Sequence, residues 1–199
     1  MMEAMHFLRV RGSFARAREV FSVWERAIEA LAFEDHDPRL VEGYLQRARI
    51  EIAAGELSEA SEALDVASAH ADDRSCEMAE VHLCRGRIAR KRGSISEMEE
   101  AMKRSIELFE QTEQMEYLAR TIAALGQCLS WLSRAREAAD MHLRALEIFE
   151  AIGNEALIGR SHELLIASMY DIGEDERALA HAEAALDSAR KQGNTRLEA

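Results

Sequence analysis

Residues 125–154 read LGQCLSWLSRAREAADMHLRALEIFEAIGN, and one complete pattern lies inside them. A helical run through Leu125 and Leu129 reaches a small turn residue, Ser133. A second run through Leu143, Leu146 and Phe149 then closes on Gly153-Asn154. The large apolar residues recur at helical intervals, as they do on faces that fill the seams between packed helices. Working outward from Ser133, the helix-breaking residues Gly12, Gly55, Gly93, Ser133 and Gly173 stand 43, 38, 40 and 40 positions apart. A period of this size marks stacked supersecondary units, because a single helical hairpin cannot bury its apolar face alone.

Aligning the units on these turns shows what the period encodes. Five positions beyond each turn stand Ala17, Ala60, Met98, Ala138 and Ala178, and twelve beyond it Trp24, Ala67, Ser105, Ala145 and Ala185. Seven positions before the turn stand Met5, Ala48, Gly86, Gly126 and Ile166. Small side chains dominate where two helices must approach closely. The links repeat as well, in Phe33-Glu34-Asp35, Phe109-Glu110-Gln111, Phe149-Glu150 and Gly193-Asn194. Gly followed by Asn suits a helix C-terminus, since both residues tolerate the left-handed backbone.

These residues carry a resemblance to the tetratricopeptide repeat, which has a small residue in its first helix, Gly at its turn and Ala twice in its second helix. The best matches are Leu125-Gly126 with Ala138 and Ala145, and Gly173 with Ala178 and Ala185. The resemblance implies an all-α, right-handed solenoid of antiparallel helix-turn-helix units, read as a single domain over 1–199. Its units are an incomplete repeat at 1–36, full repeats at 37–75, 76–114, 115–154 and 155–194, and the start of another at 195–199. The family's usual unit is 34 residues, and the longer spacing resembles the repeats of bacterial signalling and regulatory proteins. Met98 and Ser105 depart from the expected alanines, and Glu51 stands where the family prefers a large apolar residue, so the second and third units are expected to pack less regularly. The short opening helix, about Met2 to Val10, and the trailing Thr195–Ala199 suggest a piece of a longer chain.

Composition agrees with an all-helical protein: 48% of residues are apolar, only 6% aromatic, and there is one Pro. The net charge of −12 opposes non-specific attraction to nucleic acid or anionic lipid. Cys76, Cys84 and Cys128 are odd in number and show no Cys-x-x-Cys spacing, so neither a disulfide framework nor a zinc site is suggested, and a cytoplasmic setting is expected. No stretch approaches the roughly 18 apolar residues of a membrane span.

In the family, the first helix of each hairpin lines a concave groove. By register the resemblance therefore implies partner contacts at Arg49 and Ile52, at Leu83, Arg87, Arg90 and Lys91, at Arg120, Gln127, Ser130 and Trp131, and at Arg160, Glu163, Ala167 and Tyr170. This set is more basic than the chain, whereas the second helices are acidic, as in Glu56, Glu59, Glu62 and Asp65. Such an arrangement would steer an acidic peptide inward. The densest basic cluster is Arg85, Arg87, Arg90, Lys91 and Arg92, with Arg87 on one face with Arg90 and Lys91. A guanidinium pair there could hold a carboxylate or phosphate, although positive charge also suits a helix C-terminus. The amphipathic rings of Trp131 and Tyr170 suit an anchoring role, but packing into the seams between helices is favoured for both.

Other classes lose ground. Groove asparagines that grip a peptide backbone are missing, since Asn154 and Asn194 both lie in links. The seven histidines are scattered, His162-Glu163 lacks the second histidine of a zinc helix, and Cys76, His82 and Cys84 form only a weak metal pattern. No enzyme, cofactor, metal or nucleic-acid role is expected. The reading is a non-catalytic module binding a protein or peptide, with a self-associating scaffold as the alternative.

Overall fold

The computed structural model describes residues 1–31, 37–191 and 193. Among them run ten α-helices: α1 (Met2–Val10), α2 (Phe14–Leu31), α3 (Pro38–Ala54), α4 (Leu57–His70), α5 (Cys76–Arg92), α6 (Ile95–Gln111), α7 (Met115–Trp131), α8 (Ala135–Ile152), α9 (Glu155–Asp171) and α10 (Asp175–Lys191). The link Phe33-Glu34-Asp35, Asn194 and the trailing Thr195–Ala199 lie outside the described residues. The chain forms two compact units, residues 1–112 and 113–199.

The first unit holds three hairpins, α1 with α2, α3 with α4, and α5 with α6. The first helices stand side by side, α1 against α3 and α3 against α5. Met5, Phe21, Trp24, Leu40 and Ile50 form one part of its core, and Tyr44 packs edge-on against both Phe21 and Trp24 at centroid distances of 5.6 and 5.8 Å. Trp24 occupies a register where small residues stand elsewhere, and Gly43 makes the room. A Cβ on Gly43 would come within 2.0 Å of the indole, which no real contact allows. The same exchange recurs in the third hairpin, where a Cβ on Gly86 would meet the Met102 side chain at 2.8 Å.

The three departures from the repeat pattern, Glu51, Met98 and Ser105, are all buried within the second and third hairpins. Met98 is buried, and Ser105 is wholly enclosed with its hydroxyl unpartnered. Glu51 is 0% exposed, and its charge is matched in place. Arg18 Nε, from α2, donates to both carboxylate oxygens at 3.0 and 2.9 Å, and Arg47 Nε, one turn earlier on α3, lies 2.6 Å away. Arg47 also lies over the Phe21 ring, 5.2 Å from its centroid. A buried carboxylate is tolerated only when paired and hydrogen-bonded, and two guanidinium groups meet that condition.

In the second unit α7 pairs with α8 and α9 with α10, while α8 packs on α9. Leu146, Leu165 and Met169 anchor its core with Ala139 and Ala178. The helix ends follow local chemistry. Gly55, Gly93 and Gly153 cap α3, α5 and α8 in the left-handed conformation, and Ser133 adopts it too, at φ 58°. The side chains of Asp37, Ser75 and Asn154 cap α3, α5 and α9 by accepting from the backbone N–H of Arg39, Met78 and Leu157. Asn154 therefore departs from the left-handed role expected of it. Its φ is −89°, Gly153 alone makes the turn, and Asn154 starts the next helix.

Candidate binding faces

The basic run on α5 is not one patch. Arg85 and Arg92 turn toward α4, where Arg85 meets Asp65 at 3.1 Å and Arg92 donates to Leu57 O and Ser61 Oγ, both at 3.2 Å. With His82 they line a groove of about 790 Å³ shared with Asp65, Glu97, Glu100, Lys103, Arg104 and Glu107. Its charges are of both signs, so it offers no net attraction to an anion.

Arg87 leaves the same helix on another side, toward the first helices α1 and α3. There Arg9, Arg49 and Arg87 converge on Cys84. Burial pushes the Cys84 thiol up, against the pull of Arg87, Arg49 and Arg9, and Arg49 lies within hydrogen-bonding reach of it. Burial, then the neighbouring Arg49 and Arg87, hold the Arg9 guanidinium below its ordinary value. Arg49 is already neutralised, by Glu80 of α5 and by Glu42 at 3.4 Å. Arg9 is not. Its Nη2 contacts His6 Nδ1 at 3.2 Å, and its Nε is enclosed with no partner. Arg87 is exposed and makes no ion pair among the described residues. Lys91 is exposed and Arg90 half-buried.

Arg9 escaped the sequence reading, although it stands three positions before its turn just as Arg90 does. The opening helix is short, nine residues against seventeen in α3 and α5, which hides its place in the groove register. Two expected contacts are unavailable, because Ile52 and Leu83 are buried in the packing of the first helices.

In the second unit the carried-over arginines are satisfied locally, Arg120 by Glu116 at 2.8 Å and Arg160 by Glu163 at 2.5 Å. Gln127 is half-buried. Trp131 and Tyr170 are not seam residues, being 60% and 70% exposed. Each sits in the last turn of its helix, and the buried positions nearby are taken by Leu129 and Met169.

Cys76, His82 and Cys84 are not assembled into a metal site. His82 lines the groove between α4 and α6, and Cys84 is enclosed beside the arginines. No group of three or more metal-ligating side chains occurs among the described residues. Among them, too, no helix is long and apolar enough to cross a membrane.

No family model matches the sequence, and no curated protein matches it. Solved structures do. The chain is similar to BtubC from P. vanneervenii, with a TM-score of 0.80 at 19% identity over 95% of this chain and 78% of that one. It is similar to aspartyl phosphate phosphatase F from Bacillus subtilis, at 0.83 and 13% identity over 98% of this chain, and it spans about half (51%) of that protein's length. A Podosopora anserina protein with nearly identical TPR-like repeats gives 0.72 and 18% identity, over 96% of this chain and 94% of that one. Helical hairpins at a forty-residue period, small residues where they cross and this set of structural neighbours together give the chain the tetratricopeptide-repeat fold.

Proposed function

We propose that the chain is a non-catalytic protein- or peptide-binding module, the recognition or sensory part of a larger signalling or regulatory protein. Its partner lies along the face of α1, α3 and α5 and presents acidic side chains there. One observation carries the reading: Arg9 and Arg87, from α1 and α5, flank the neutralised Arg49 without carboxylates of their own. Guanidinium groups bind carboxylates in bidentate fashion, and the remaining acidic surface of a chain of net charge −12 directs an acidic ligand to that face. Trp131 and Tyr170 add exposed aromatic anchors to the second unit.

The test is affinity capture of partners by the wild-type chain and by an Arg9→Glu, Arg87→Glu variant of unchanged helicity, followed by titration of each captured protein at low and high salt. Loss of binding in the variant, with salt-sensitive binding by wild type, is the expected result. Equal binding by both forms removes the basic face from the mechanism. A second reading, self-association, draws on Phe7 and Val10, two apolar side chains left exposed on α1. Light scattering decides it, since a concentration-independent monomer mass excludes that role.

A further inference from the structure

On α9 and α10, 19 residues apart in sequence, His162 and His181 face each other with their Nδ1 atoms 3.1 Å apart. The rings are 5.3 Å between centroids and inclined by 32°. We propose that these two histidines form a binding site for a divalent late first-row transition metal, zinc, nickel or copper, held by both Nδ1 atoms with water completing its coordination. Two imidazole nitrogens on one tetrahedral zinc, at bonds of about 2.0–2.1 Å, stand roughly 3.3 Å apart. In cis positions of a square-planar copper or nickel they stand about 2.9 Å apart. The observed separation falls between the two, but rings whose centroids are 5.3 Å apart meet almost head-on through these nitrogens, so both must turn for their lone pairs to converge on one ion.

The chemistry of the surroundings supports the geometry. Burial disfavours the charged form of both rings, and for His181 the neighbouring His162 and Arg177 add to it. A 3.1 Å Nδ1 to Nδ1 contact requires that at least one Nδ1 lone pair already points between the rings. The charged neighbours are Glu150 on α8, which acts on His162 in favour of a cation, and Arg177 on α10, which opposes it. A metal here would clip α9 to α10 across the seam of the hairpin. The sequence conceals the pair because the two histidines lie 19 residues apart on different helices.

Titration of the untagged, metal-free chain with zinc, nickel and copper chlorides, followed by calorimetry and thermal melting, tests the site. The expected outcome is one ion bound per chain, a higher Tm that a chelator reverses, and affinity at least about tenfold weaker in His162→Ala and in His181→Ala, while His70→Ala behaves as wild type. Copper bound to the wild-type chain should show two nitrogen ligands by electron paramagnetic resonance. Unchanged affinity in both alanine variants would overturn the proposal. Absence of binding by the wild type would do so as well, leaving the contact a hydrogen bond between two neutral rings. None of these readouts involves the basic face, so the site and the peptide-binding reading stand or fall separately.

Discussion

The imidazole of His142 stands where a side chain at position 126 would have to go: a Cβ on Gly126 would meet His142 Cε1 at 2.7 Å and Nδ1 at 2.8 Å. A glycine on α7 thus admits a large ring from α8, and His142 is 1% exposed as a result. Gly126→Ala is expected to destabilise the second unit by about 1–3 kcal/mol despite the better helix propensity of alanine, because the ring must leave its position. A lowered urea midpoint with unchanged slope would support this, and an unchanged midpoint would show that the ring can move aside freely. Ala138→Leu, at another fully buried position of α8, should cost a similar amount, about 1–3 kcal/mol.

The same ring predicts a pH dependence. Burial, reinforced by Arg160, pushes His142 down to about 4, and its Nδ1 has no partner. The unfolded chain therefore binds the proton first, and stability contributed by this group rises with pH between about 4 and the ordinary 6.5. The contribution is complete above about pH 6.5 and is lost progressively as pH falls toward 4, amounting to roughly 3 kcal/mol. Comparing the wild type with His142→Leu between pH 7.5 and 4.5 isolates this effect from that of the carboxylates. The wild type should lose more stability than the variant as the solution is acidified, and parallel curves would refute the assignment.

Ser133 makes a turn that glycine makes at Gly55, Gly93 and Gly173, with φ at 58°. A side chain in the left-handed region costs roughly 1–2 kcal/mol, partly offset in glycine by its greater freedom when unfolded. Ser133→Gly should therefore raise stability by about 0.5–1 kcal/mol. Thermal melting would show it, and a lower Tm would mean that the serine makes a compensating contact.

The turns and the close helix crossings were legible in the sequence because each is a local demand on one residue. A left-handed cap asks for glycine, and a tight crossing asks for alanine. What stayed hidden depends on which residue lies opposite. Trp24 looks misplaced until Gly43 is set against it, and Glu51 looks misplaced until Arg18 reaches it from 33 residues away. The binding face shows the same division. Arg87 was found by register, but its separation from Arg85 and Arg92, and its convergence with Arg9, follow from which neighbouring helix each side chain meets. Trp131 and Tyr170 stand at groove positions by register while their residue type suits a seam, and their exposure decides against the seam.

The Glu51 arrangement predicts non-additive energetics. Replacing both Arg18 and Arg47 by Met strands a fully buried carboxylate and should cost about 3–5 kcal/mol. Adding Glu51→Leu to that pair should recover most of the loss, because an apolar trio of similar volume needs no counter-charge. Denaturant unfolding of the double and triple variants measures both effects, and a triple variant no better than the double would show that shape rather than charge governs the site.

Tandem helical hairpins are often regarded as interchangeable modules that can be duplicated, grafted or reordered. Here one of the two counter-charges of Glu51, Arg18, comes from the hairpin before it, six positions beyond that hairpin's turn. At the equivalent register the other hairpins carry Ser61, Glu99, Ala139 and Leu179, none of them a cation. No other hairpin in this chain could take the place of α1–α2 without leaving Glu51 short of a partner. Neighbour identity is thus encoded in one ionic contact, and a shuffled or minimal version of this protein must transplant Arg18 together with Glu51.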